Sequence, residues 1–227
     1  MADTKTKLLR SAAKLFAKYG LDGVSTRDLA KRSGVNLCSI NYYFGTKQKL
    51  YEAVLQDVIS YISDHFLFSV REAISSAGQM TPQEEIKCII GRFFKFLCGG
   101  DVSEIQAELL MKELLKPTAA YDRFYLMIFE PLHKRLSGLV ASELNLPPDS
   151  RRAVLQTHIL LGHVAMFRIH KTALLRRLGM KKYTPELMER TKSLLMRSCG
   201  RNRPLFPFRC KNPIIPKVLP VITLFPD

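Results

Sequence analysis

Ser25-Thr26-Arg27-Asp28-Leu29-Ala30-Lys31-Arg32-Ser33-Gly34-Val35-Asn36-Leu37-Cys38-Ser39-Ile40-Asn41-Tyr42-Tyr43-Phe44 is the stretch on which the fold turns. Ser25 with an acid three residues on forms a capping box, Asp28 replacing the usual Glu or Gln, so a short helix runs over 26–33. Gly34 ends it, and Asn36 is a good N-cap for a further helix through Tyr43. Two short helices joined by Ser33-Gly34-Val35 have the length and chemistry of a helix-turn-helix. Glycine permits the tight turn and the small apolar valine plugs the angle between the helices. The second helix sorts by face: Ile40, Tyr43 and Phe44 inward, Leu37, Cys38, Ser39, Asn41 and Tyr42 outward. Asn can pair with adenine in the major groove, and Leu37 suits a thymine methyl group. Tyr42 can donate a hydrogen bond to a phosphate.

The flanks agree with this reading. Upstream, Leu8, Leu9, Ala12, Ala13, Leu15, Phe16 and Tyr19 give one apolar face of a first helix, which Gly20 ends. Downstream, Thr46 caps a long helix from Lys47 to about residue 74. Helix N-termini prefer acids, yet Lys47 and Lys49 occupy this first turn. A phosphate resting on the free N–H groups and on Lys47 would turn that cost into a gain. Arg27 presents the same arrangement one helix earlier, with Asp28 beside it restoring the usual preference. Further helices are predicted over about 82–98, 102–116, 118–145 (bent at Pro131), 149–173 and 185–199, punctuated by Gly and Pro. No alternating strand pattern occurs before residue 200, so the chain reads as all-α.

Composition narrows the function. The 227 residues carry a net charge of +15, a balance that suits a polyanionic partner. Residues 1–60 hold 10 basic and 5 acidic groups, and residues 201–227 hold 5 and 1, so the two ends are the most basic per residue. No apolar run reaches the ~18 residues that span a bilayer, so stable membrane insertion is not expected. The polar N-terminus lacks a secretory pattern. Five cysteines without a CxxC pair support neither a disulfide framework nor a zinc ribbon, and a cytoplasmic location fits. A Gly-rich phosphate loop, GxSxG and HExxH are all missing, which argues against an enzyme and against a cofactor. His158 and His163 stand about 140° apart on a helix, the wrong spacing for a shared metal. Six of twelve prolines crowd into 201–227, an irregular tail. Charge alone would also suit a non-specific nucleic-acid or membrane-surface binder.

The residues Leu15-Phe16, Tyr19-Gly20, Gly23 to Ala30, Ser33-Gly34-Val35, Ile40, Tyr42-Tyr43-Phe44 and Lys47-Gln48-Lys49-Leu50 resemble the TetR family of bacterial regulators. Lys116 to Tyr121, Pro131-Leu132-His133, Gln156 to Gly162, Phe167-Arg168 and Lys171 are similar to a subgroup that includes a regulator linked to cefoperazone and chloramphenicol sensitivity. The resemblance implies a three-helix DNA-binding domain over 1–46 (to about 60 with the start of the fourth helix). It implies an effector-binding and dimerisation domain of about six helices over 47–200. Thr26, Arg27, Tyr42 and Lys47 would then contact backbone or groove, and Leu37, Cys38, Ser39 and Asn41 would read bases. Asn41, where many members carry Tyr, would alter base preference.

The family pattern also implies a homodimeric repressor on a palindromic operator of double-stranded DNA, released by a small-molecule effector. Phe93, Phe96, Met111, Leu115, Phe124, Met127, Ile128 and His158 are candidates for the effector pocket. Leu155, Ile159, Val164 and Phe167, with Leu187, Leu194 and Leu195, are candidates for the dimer interface.

Overall fold

The computed structural model describes residues 2–198, and the Pro-rich segment 201–227 lies outside the described residues. Helices α1 (Ala2–Tyr19), α2 (Thr26–Ser33) and α3 (Leu37–Phe44) form a headpiece. The body follows with α4 (Lys47–Ile62), α5 (Phe68–Ser76), α6 (Pro82–Cys98), α7 (Glu104–Leu115), α8 (Tyr121–Phe124), α9 (Glu130–Leu144), α10 (Arg151–Ile169), α11 (Lys171–Arg177) and α12 (Pro185–Ser198). No strand occurs among the described residues.

Three expected long helices differ from the sequence reading. The helix expected over 47–74 contains a π-helical turn, Ser63–Leu67, between α4 and α5. The bend expected at Pro131 falls earlier, in a second π-helical turn, Tyr125–Phe129, and Pro131 sits in the first turn of α9. A proline ring clashes with the carbonyl four residues back, here that of Met127, and a widened turn relieves the clash. The helix expected over 149–173 breaks at His170 into α10 and α11.

The apolar face of α1 meets α2 and α4: Leu8, Ala12 and Phe16 are fully buried with Leu29, Ile40 and Leu50. The rings of Phe16 and Tyr51 meet edge to face at 5.1 Å. Each such large side chain contributes about 1.5–3 kcal/mol on burial, so α1 welds the headpiece to the start of α4. In the body, α6 is the hub, packing on α5, α9, α10 and α12 through residues such as Ile89, Ile90 and Phe94. Arg135 on α9 donates two 2.6 Å hydrogen bonds to the buried Glu85 carboxylate on α6. Body and headpiece meet where α7 packs on α1 and α4.

Candidate nucleic-acid interface

Local chemistry sets each helix of the headpiece. The Ser25–Asp28 capping box forms in both directions, and these bonds from the Ser25 hydroxyl and amide hold the Asp28 carboxyl below the usual carboxylate range. Gly34 takes φ +67°, a left-handed conformation that costs other residues about 1–2 kcal/mol. Asn36 accepts from the Cys38 amide at 3.1 Å, which starts α3. Thr46 accepts from the Lys49 amide at 3.1 Å, which starts α4.

The result is an α3 with two distinct faces. Ile40 is wholly buried, and Tyr43 and Phe44 are half-buried. Leu37, Cys38, Asn41 and Tyr42 face solvent, and Ser39 is half-buried at the edge. Tyr42 is 77% exposed, with its ring edge-on to Tyr43 at 5.0 Å. At the start of α2, Arg27 is exposed and Thr26 half-buried. The outward surface thus carries hydroxyl, amide and guanidinium donors beside small apolar groups, the mixture that contacts phosphates and base edges. The first turn of α4 holds no acid to compete with a phosphate.

Lys47, an expected phosphate contact, is half-buried. Its ammonium donates to the carbonyls of Leu21 at 2.8 Å and Val24 at 2.9 Å. Those carbonyls belong to the loop between α1 and α2, where backbone oxygens have no helical partners. Lys47 therefore ties the α1–α2 loop to α4.

A second connection had no expectation attached. Glu113 on α7 is 1% exposed and accepts from the Tyr51 hydroxyl at 3.0 Å. Its other oxygen accepts from the amide and the hydroxyl of Thr118, both at 2.8 Å. Burial, then the Glu113 charge, pushes the Tyr51 hydroxyl well above the ordinary tyrosine range. Lys116 bonds Asp22 in the α1–α2 loop at 2.7 Å, holding that carboxyl low. The 113–118 segment therefore holds both α4 and the headpiece loop that Lys47 ties down. The signal available in sequence was Glu113, four residues after Leu109 on what is otherwise an inward face.

The expected effector residues are not brought together. Leu115 is 79% exposed, and Met127 and His158 also face solvent, because each sits on the outward side of its helix. Phe96, Phe124 and Ile128 are buried, and Phe93 and Met111 are half-buried. The ring of Phe66 contacts both Phe93 and Phe96, which makes these core packing. Among the expected dimer residues, Leu155, Ile159 and Leu194 are exposed, and Leu187 is half-buried. Val164 and Leu195 are instead core, and Phe167 packs edge-on to Phe94 at 5.6 Å, so these three belong to the subunit's own interior. No group of three or more His, Cys, Asp or Glu is placed to hold a metal among the described residues. No helix among them is long and apolar enough to cross a membrane.

A helix-turn-helix with a solvent-facing second helix, carried on a larger helical body, is the build of a DNA-binding transcriptional regulator. Residues 8–54 match the family described as bacterial regulatory proteins, tetR family, and residues 82–199 match the C-terminal domain of the HTH-type transcriptional dual regulator CecR. The chain is 31% identical over 190 residues to the CecR regulator of Shigella flexneri, covering 82% of this chain and 84% of that one. It belongs to the TetR family of transcriptional regulators, with a CecR-like C-terminal domain. Solved structures share the fold. AibR in complex with isovaleryl coenzyme A and operator DNA has a TM-score of 0.60 at 14% identity, covering 85% of this chain and 96% of that one. The ketosteroid regulator KstR2 of Mycobacterium tuberculosis has a TM-score of 0.55 at 15% identity, covering 86% and 93%.

Proposed function

We propose that the protein is a homodimeric cytoplasmic repressor that reads a palindromic operator and releases it when a small molecule binds the body. The observation that carries the reading is the two-faced α3, with Ile40 fully buried and Leu37, Cys38, Asn41 and Tyr42 turned outward. Leu37, Cys38, Ser39 and Asn41 meet base edges, while Tyr42, Thr26, Arg27 and the first amides of α4 meet phosphates. Dimerisation is supported by the exposed apolar stripe Val154, Leu155, Ile159, Met166 and Ile169 on α10, with Leu194 on α12. Two such pairs of helices make a four-helix interface. AibR, which shares the fold, was crystallised with a small molecule and DNA together, a precedent for an effector.

A dimer sets two α3 helices about 34 Å apart, one turn of DNA. An effector then needs to favour a body conformation with a different spacing, and a coupling of about 1–3 kcal/mol changes operator affinity about 5- to 150-fold. The Glu113–Tyr51 and Lys116–Asp22 contacts give such a change a route to the headpiece.

The test is fluorescence anisotropy on an operator selected by the protein from random duplex DNA. Tyr42→Phe combined with Asn41→Ala lowers affinity by about tenfold or more, since each lost base or phosphate hydrogen bond costs about 1–3 kcal/mol. Unchanged affinity in that variant, with its fold intact by circular dichroism, contradicts the reading.

A further inference from the structure

Two cavities share the cations Arg92 and Lys95 of α6. The larger, about 550 Å³, opens between α6 and α12. Lys87, Arg92 and Lys95 on α6 and Lys192 on α12 line it, over an apolar floor of Phe94 and Met188. Its size falls within the ~300–1,000 Å³ usual for small-molecule sites. Gly91 lies on the same wall, where a Cβ would only make ordinary contact with the methyl of Met196 at 3.5 Å and the stem of Lys192 at 3.7 Å.

The charge balance of this cleft is one-sided. Its single carboxylate, Glu189, pairs with Lys192 at 3.6 Å. Lys87 and Arg92 are half-buried and Lys95 is exposed; none of the three makes a direct ion pair among the described residues, although Glu84 acts on Lys87 through space and Asp101 lines the smaller cavity with Arg92 and Lys95. Two half-buried cations elsewhere in the body, Arg168 and Lys171, do have a carboxylate, and so does the more exposed Arg135. Arg168 and Lys171 share Glu104 at 2.8 and 3.0 Å, and Arg135 holds Glu85. Partly desolvated cations without an anion are unfavourable unless something supplies the opposite charge. Guanidinium and ammonium groups converging on a concave wall suit phosphate oxygens, and arginine can take two at once.

We propose that this cleft is a binding site for an organic phosphate carrying an apolar arm. The phosphate sits between Arg92 and Lys192, with Lys87 and Lys95 flanking it. The arm lies on Phe94 and Met188. This goes beyond the DNA-binding reading and is tested without DNA.

Isothermal titration calorimetry on the full chain uses octyl phosphate as the probe, with inorganic phosphate and octanol as its two halves. The expected result is saturable binding of one octyl phosphate per subunit, at least tenfold tighter than either half. Arg92→Gln with Lys192→Gln weakens it about tenfold or more, because hydrogen bonds to charged groups contribute about 1.5–3 kcal/mol each. Glu189→Gln tightens it by removing the competing carboxylate. Arg92→Lys with Lys192→Arg keeps the charges and retains binding, which separates loss of the site from loss of the fold. Lys181→Gln with Lys182→Gln, an equal charge change at exposed positions, leaves binding intact. The proposal is overturned if octyl phosphate does not bind, if inorganic phosphate binds equally well, or if the two glutamine pairs weaken binding alike.

Discussion

Lys47 shows how one side chain can carry architecture where surface chemistry was expected. Its ammonium closes the α1–α2 loop against α4 through Leu21 and Val24. Lys47→Ala leaves two carbonyls without a charged donor and lowers unfolding stability by about 2 kcal/mol. Lys49→Ala, at an exposed position in the same turn, leaves it nearly unchanged, and urea denaturation separates the two. Sequence placed Lys47 in the first turn correctly but could not place its partners, 26 and 23 residues away. The capping residues Ser25, Asn36 and Thr46 were legible because their partners lie within three residues. His133 adds a pH effect. Burial, then the nearby His158, lowers its pKa from 6.5, so the folded state disfavours the protonated ring. The stability this confers is present above pH 6.5 and is lost as pH falls below it, because the unfolded chain takes up the proton first. His133→Gln flattens the loss of thermal stability between about pH 6.5 and 5, measured as Tm against pH.

At the scale of elements, the contact of α7 with α1 and α4 ties the body to the headpiece. Glu113 is buried and fully bonded, so removing one donor strands a charged oxygen. Tyr51→Phe therefore costs about 1–3 kcal/mol. Chemical denaturation of that variant shows the cost, and a neutral result removes Glu113 from the coupling route. Lys116–Asp22 lies on the surface and adds little stability of its own. Helix existence was readable from apolar periodicity, and the headpiece helices match within a residue or two. The two π-helical turns were not readable, since they keep the apolar pattern running while shifting its register. Val164 and Leu195 proved to be core, and Leu115 and His158 face solvent.

For the whole molecule, the proposed dimer rests on the exposed stripe on α10 and on Leu194 of α12. Leu155→Asp with Ile159→Asp places two charges in that stripe, and sedimentation equilibrium then reports half the wild-type mass. An unchanged mass moves the interface elsewhere. The net charge of +15 draws the protein to DNA of any sequence, so affinity alone says little about reading. Sequence preference is the distinguishing property, and in the proposed dimer it belongs to α3 in two copies held at fixed spacing. The most direct measurement is selection of binding sites from random duplex DNA by the purified full chain, read by sequencing. An enriched inverted repeat with half-sites one helical turn apart is the predicted result. Retention of DNA with no enriched motif contradicts the account.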